Sequence, residues 1–173
     1  MSKNMFRVLL MFIITMLLLF LASRCSWGSQ SPEVDWYYTI PNAYQGFLVI
    51  RYECAGGKPL VILNGKAQIE FNDDGIACIK DAFQPTHGQD FAQDKNGQPI
   101  RVVGSPWNEK GYALYGQGTM GIEVHGIDYG TFEIFWVGDM EYLAKHYLEG
   151  LDQFLKDRFG IPTIDSTITP KRS

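Results

Sequence analysis

The strongest constraint on this chain is a run of short β-prone segments broken by turn residues every few positions. Asp35–Ile40 is aromatic and ends at Pro41, Gly46–Cys54 follows, and Ala55-Gly56-Gly57-Lys58-Pro59 turns the chain. Leu60–Leu63 and Ala67–Phe71 flank Asn64-Gly65, a pair that tolerates positive φ at both central positions of a tight hairpin. Asn72-Asp73-Asp74-Gly75 precedes Ile76–Lys80, and after a long polar stretch from Asp81 to Gln98 come Ile100–Val103, Tyr112–Tyr115, Met120–His125 and Thr131–Val137. Strands at this spacing predict a mainly β domain, an antiparallel sandwich of roughly eight to nine short strands. Within Trp36-Tyr37-Tyr38 the alternation puts Trp36 and Tyr38 on one face and Tyr37 on the other.

The period then changes. Met140, Leu143, Ala144, Tyr147, Leu151, Phe154 and Leu155 recur at helical spacing, Asp139 is a suitable N-cap, and Gly160 with Pro162 ends the segment. One C-terminal amphipathic helix over 139–159 is therefore expected to cover an open face or edge of the sheet. The organisation read from these signals is a signal peptide or anchor over 1–28, a linker over 29–34, a sandwich domain with its helix over 35–160, and a loose tail over 161–173.

The N-terminal segment is an export pattern. Lys3 and Arg7 precede an apolar run from Val8 to Ala22 interrupted only by Thr15. Three fates stay open: cleavage after Ser26-Trp27-Gly28, lipidation at Cys25, and retention as a membrane anchor. Arg24 stands where a lipobox has a small residue. Either way the chain is expected in the cell envelope, at the periplasm or the outer face of a membrane, anchored or secreted. Without its first 28 residues it carries 12 basic and 19 acidic side chains, a formal charge of −7. Such a surface repels phosphate backbones, so nucleic acid is not an expected partner. Cys54 and Cys78 both sit in strand-like runs, and an oxidising compartment allows them to pair or to remain buried thiols.

Two segments resemble a known group. Ile40-Pro41-Asn42-Ala43-Tyr44-Gln45-Gly46-Phe47 with Val49, Ile50 and Tyr52, then Gly57-Lys58-Pro59-Leu60 and Asp74-Gly75-Ile76, and later Phe135-Trp136-Val137-Gly138, resemble a family of uncharacterised bacterial exported proteins, many of them designated lipoproteins. The resemblance implies export and a β-rich fold and supplies no catalytic residues. The order strand, Gly-x-Pro-Leu, strand, Asp-Gly, strand is similar to transthyretin-like and carboxypeptidase-regulatory-like sandwiches, which are structural or adhesive modules. That likeness is one of fold only.

No spacing announces catalysis or a metal. His87, His125 and His146 stand far apart, and His87-Gly88-Gln89-Asp90 with Asp94 and Asn96 falls short of a recognisable ligand set. Asn72-Asp73-Asp74-Gly75 and Asp94-Lys95-Asn96-Gly97 lack the closing Glu of a calcium loop and read as turns. Ser105 lacks a nucleophile elbow, and Glu123 and Glu133 lie on strands where alternation would turn them outward. No cofactor is expected. The excess is in aromatics, 14% of residues, more than one core of this size needs. Exposed rings suit protein or glycan partners. Trp107, His87 and Tyr112 are the candidate binding residues, with the Ser105–Gly111 loop as the contact surface.

The leading expectation is a non-enzymatic envelope-associated binding module. A hydrolase assembled from distant residues such as His87, Asp90 and Glu109, and a stoichiometric inhibitor or immunity-type protein, are the alternatives. Three or more titratable groups converging in one concave pocket would favour catalysis, and a flat aromatic patch would favour binding.

Overall fold

The computed structural model describes residues 32–104 and 111–162. Among them are ten strands and one helix, arranged as two five-stranded sheets. The first sheet orders β3 (Ile62–Leu63), β4 (Lys66–Glu70), β1 (Asp35–Ile40), β6 (Asp90–Asp94) and β7 (Pro99–Ile100). The second orders β5 (Ile76–Cys78), β2 (Gly46–Arg51), β10 (Ile127–Asp139), β9 (Tyr112–Val124) and β8 (Val102–Val103). The helix α1 (Met140–Phe159) follows directly from β10.

The architecture is mainly β, but the sheets are mixed, which corrects the antiparallel expectation. β1 pairs in parallel with both β4 and β6, β2 with β5, and β8 with β9. The reason is the path of the chain. It leaves the first sheet after β1, enters the second at β2, returns for β3 and β4, and crosses again at β5. A strand that re-enters a sheet after an excursion can run in its neighbour's direction, whereas a hairpin forces reversal. The reversals survive where the turns are local, as at β3–β4, β6–β7 and the long β9–β10 hairpin.

Two apolar layers result. Tyr38, Ile40, Leu48, Ile50, Ile69, Phe71, Leu114, Phe135 and Val137 fill the space between the sheets. Phe47, Val49, Tyr115, Phe132, Ile134 and Trp136 pack on Leu151 and Leu155 of α1 and on Ile161. The second sheet is therefore covered on both faces, and Phe47–Ile50 of β2 is buried without a break. The first sheet keeps one face bare, so β4 alternates strictly between exposed and buried residues. α1 is capped by Asp139, whose carboxylate accepts the Glu141 amide at 2.7 Å, and closes at Gly160 in the left-handed region at φ 66°.

Cys54, just beyond β2, and Cys78, ending β5, form a disulfide with Cα atoms 5.5 Å apart. It ties the two parallel strands together at one end, and closing a loop of this length stabilises the fold by about 3 kcal/mol. Among the described residues no helix is long and apolar enough to cross a membrane.

Candidate functional site

His87 and Tyr112 lie at opposite ends of β1. Glu33, just before β1, bridges to His87, whose carbonyl accepts the Val34 amide at 2.6 Å. Tyr112 instead reaches the loop after β1, donating its hydroxyl to the Tyr44 carbonyl at 2.7 Å. A six-residue strand separates the two by about 20 Å, so they do not share one site. Asp90 accepts from the Tyr38 hydroxyl at 3.3 Å, while the His87 side chain is exposed. Trp107, Ser105, Glu109 and Cys25 lie outside the described residues.

The two Asp-rich turns use their oxygens internally. Asn72 Oδ1 accepts the amides of Asp74 and Ile76 at 3.1 and 2.8 Å, and Asp94 Oδ1 accepts those of Asn96 and Gln98 at 2.9 and 2.8 Å. Those atoms are committed to turn formation. Among the described residues, no three His, Cys, Asp or Glu side chains cluster in a way that could hold a metal ion.

A groove of about 620 Å³ opens between α1, the end of β10, the β1–β2 loop and the β4–β5 turn. Three of the segments singled out in the sequence build it. Tyr44, Gln45, Gly46 and Phe47 form one wall, Asp73 and Asp74 the next, and Trp136 lies between them and the helix residues Tyr142, Gln153, Phe154, Asp157 and Arg158. Local backbone geometry fixes the first wall. Ala43 sits at φ 54°, and the Tyr44 hydroxyl donates to the Phe47 carbonyl at 2.6 Å. Burial pushes the Tyr44 phenol up to about 12, with Arg158 pulling it back, so it stays a donor across the working range. The close approach requires glycine at position 75, where φ is 78° and a Cβ would overlap that hydroxyl.

The aromatic lining is ordered. Phe47 meets Trp136 edge-on at 5.0 Å, and Tyr142, which is 52% exposed, stacks parallel to the indole at 5.9 Å and 14°. Trp136 is only 4% exposed, and its Nε1–H has no hydrogen-bond partner among the described residues. Arg51 Nε shares that condition, but its guanidinium lies 5.8 and 5.9 Å from the rings of Phe132 and Phe159. The indole N–H has no such compensation, and an unpaired buried donor costs about 1–3 kcal/mol. Gly138, at φ 139°, is closely packed by both groups: a Cβ there would come within 2.8 Å of Gln45 Cγ and 3.2 Å of both Gln45 Nε2 and Trp136 Nε1. Indole and amide thus converge at one spot.

Carboxylates rim the groove in pairs. Asp73 binds Lys95 at 2.7 Å, Asp74 binds Arg158 at 2.9 Å, and Asp157 accepts from Gln153 at 2.7 Å. The opposite face of β10 carries different chemistry. Glu133 points between the sheets and accepts the Tyr52 hydroxyl at 2.7 Å, contrary to the outward placement that alternation suggested. Burial holds the Glu133 carboxyl above the usual range, with the nearby Asp90 adding to the rise and the tyrosine bond opposing it. Asp90 is likewise raised by burial and eased by Tyr38. Both phenols are pushed up, mainly by burial and then by the Glu133 charge.

A second aromatic surface lies on the first sheet. On the bare face of the first sheet, Tyr37 stacks on Phe91 at 4.8 Å and 13°, and the Lys66 ammonium lies 5.3 Å from the Tyr37 ring.

No protein-family model and no curated protein matches the chain. A solved structure, that of a Putative Lipoprotein from Bacillus anthracis, is similar at 18% identity and a TM-score of 0.45, covering 74% of this chain and 98% of the other.

Proposed function

We propose that the chain is an exported, envelope-associated binding module, not an enzyme, whose ligand seats in the groove beside Trp136. The observation that carries this reading is the buried, unpaired indole N–H in a groove with aromatic walls. A site that holds a donor ready for a ligand's acceptor recovers its desolvation cost only when the ligand arrives. The charged leader with its apolar run and the Cys54–Cys78 disulfide support the compartment.

Recognition fits better than catalysis because the reactive groups and the cavity are apart. Titratable side chains do converge on the groove, but its carboxylates are engaged with Lys95, Arg158 and Gln153. The carboxylates whose pKa values are raised, Glu133 facing the first sheet and Asp90 on β6, bond tyrosine hydroxyls. A general acid must reach substrate, and these do not line the groove.

Hydrogen–deuterium exchange of the full-length chain in detergent, with and without envelope extract, tests the reading. Protection is expected over residues 44–47, 73–75 and 150–158. Protection confined to other segments contradicts it. The stoichiometric-contact alternative draws on the Tyr37–Phe91–Lys66 surface and would place the protection on β1, β4 and β6 instead.

A further inference from the structure

We infer that the ligand of this groove is an uncharged pyranose oligosaccharide, held by Trp136 Nε1–H and the Gln45 amide against the Tyr142 ring. The inference rests on the binding reading above and narrows it to one ligand class. Four features select that class. The indole is a donor only, so the ligand must offer it an acceptor oxygen, and the exposed Gln45 side chain, which borders the indole nitrogen at Gly138, must make way for it. The amide of Gln45 can both donate and accept, which matches a hydroxyl that does both.

The ring of Tyr142 is backed on one side by Trp136 and more than half exposed. A rigid, supported aromatic face takes the flat C–H face of a sugar ring at small entropic cost. Charge makes the last selection. Asp73, Asp74 and Asp157 rim the groove, and with Arg158 on Asp74 and Lys95 on Asp73 the rim keeps one carboxylate in excess. Such a rim opposes phosphate, sulfate and uronate groups, while the paired carboxylates can still accept from neutral hydroxyls. The volume of about 620 Å³ lies within the range of small-ligand sites and is large enough for two or three sugar units.

The test uses the indole 15N–1H signals of the full-length chain in detergent, where four tryptophans give four resonances and Trp136→Phe identifies one by its loss. The probes are cellotriose, maltotriose and chitotriose, a sulfated heparin trisaccharide, and the peptide Gly-Lys-Leu-Lys-Gly. At least one neutral trisaccharide is expected to shift the Trp136 signal saturably, the sulfated one to leave it unmoved, and Gln45→Ala to weaken that binding about tenfold. Movement by the peptide or the sulfated sugar alone overturns the inference and leaves the groove reading standing. No movement of Trp136 with any probe overturns the inference, and envelope-extract protection absent from the groove overturns the reading beneath it. Thermal melts of both variants within a few degrees of the parent keep loss of binding separate from loss of fold.

Discussion

Strand β10 has two faces that do different work. Its even-numbered residues Phe132, Ile134 and Trp136 meet the helix, and that layer opens into the groove where a donor stands unpaired. Its odd-numbered residues Glu133, Phe135 and Val137 turn to the other sheet, where a half-buried carboxylate accepts from a phenol. One face leaves a polar group unpaired beside a cavity, and the other pairs its polar group with a phenol. Residues three apart on one strand thus separate the proposed recognition from the half-buried charge, and the separation is open to direct attack.

The largest effect should come from the Glu133 side. Replacing Cys54 and Cys78 together by Ser releases the tie beside Tyr52 and should cost about 3 kcal/mol in urea unfolding. Ligand binding in the groove should persist below the new midpoint. Next comes the groove side: Gly138→Ala forces a left-handed φ on a residue with a Cβ and presses it on Gln45. A loss of about 1–3 kcal/mol is expected, with the Trp136 indole resonance displaced.

Glu133→Gln should act in the opposite direction. Because burial raises Glu133 and Asp90 in the folded state, the folded chain binds more protons than the unfolded one between the ordinary carboxylate range and the raised values. Their stabilisation is complete below that range and is lost as pH rises through the folded values. The glutamine keeps a carbonyl for Tyr52 and carries no charge, so it should gain about 1 kcal/mol at neutral pH. It should also flatten the rise in melting temperature that accompanies mild acidification. A steeper pH profile in the variant would count against a half-buried charge at Glu133. Trp136→Phe should have the smallest effect on stability, within about 1 kcal/mol, since removing an unpaired donor offsets the lost ring area.

These differences also explain what the sequence made legible. The bare first sheet alternates, so Tyr37 could be placed opposite Trp36 and Tyr38 from spacing alone. The helix was equally plain, with Asp139 and Gly160 at its caps. β6 was hidden because only Ala92 among Asp90–Asp94 is buried, leaving a polar run with no apolar signal. Gly116-Gln117-Gly118 looked like a break between two strands, yet β9 runs through it and absorbs the glycines at a register shift opposite Ile134 and Phe135.

The site was legible only in fragments. The segments around Tyr44, Asp74 and Trp136 stood out, but nothing in one dimension says that a loop, a turn and a strand end about 90 residues apart share a groove. Glu133 was assigned outward because period two fixes alternation and not which face is dry. The second sheet is covered on both sides, so that assumption failed. An acid in a strand flanked by Phe132 and Ile134 is the signal that could have marked it.

The most direct test measures trisaccharide binding and the pH dependence of melting on the same two variants. Trp136→Phe should lose the binding and keep the parental pH profile, while Glu133→Gln should keep the binding and flatten the profile. If Glu133→Gln abolishes binding, or Trp136→Phe leaves it intact, the two faces of β10 are not separate and the groove is not the recognition site.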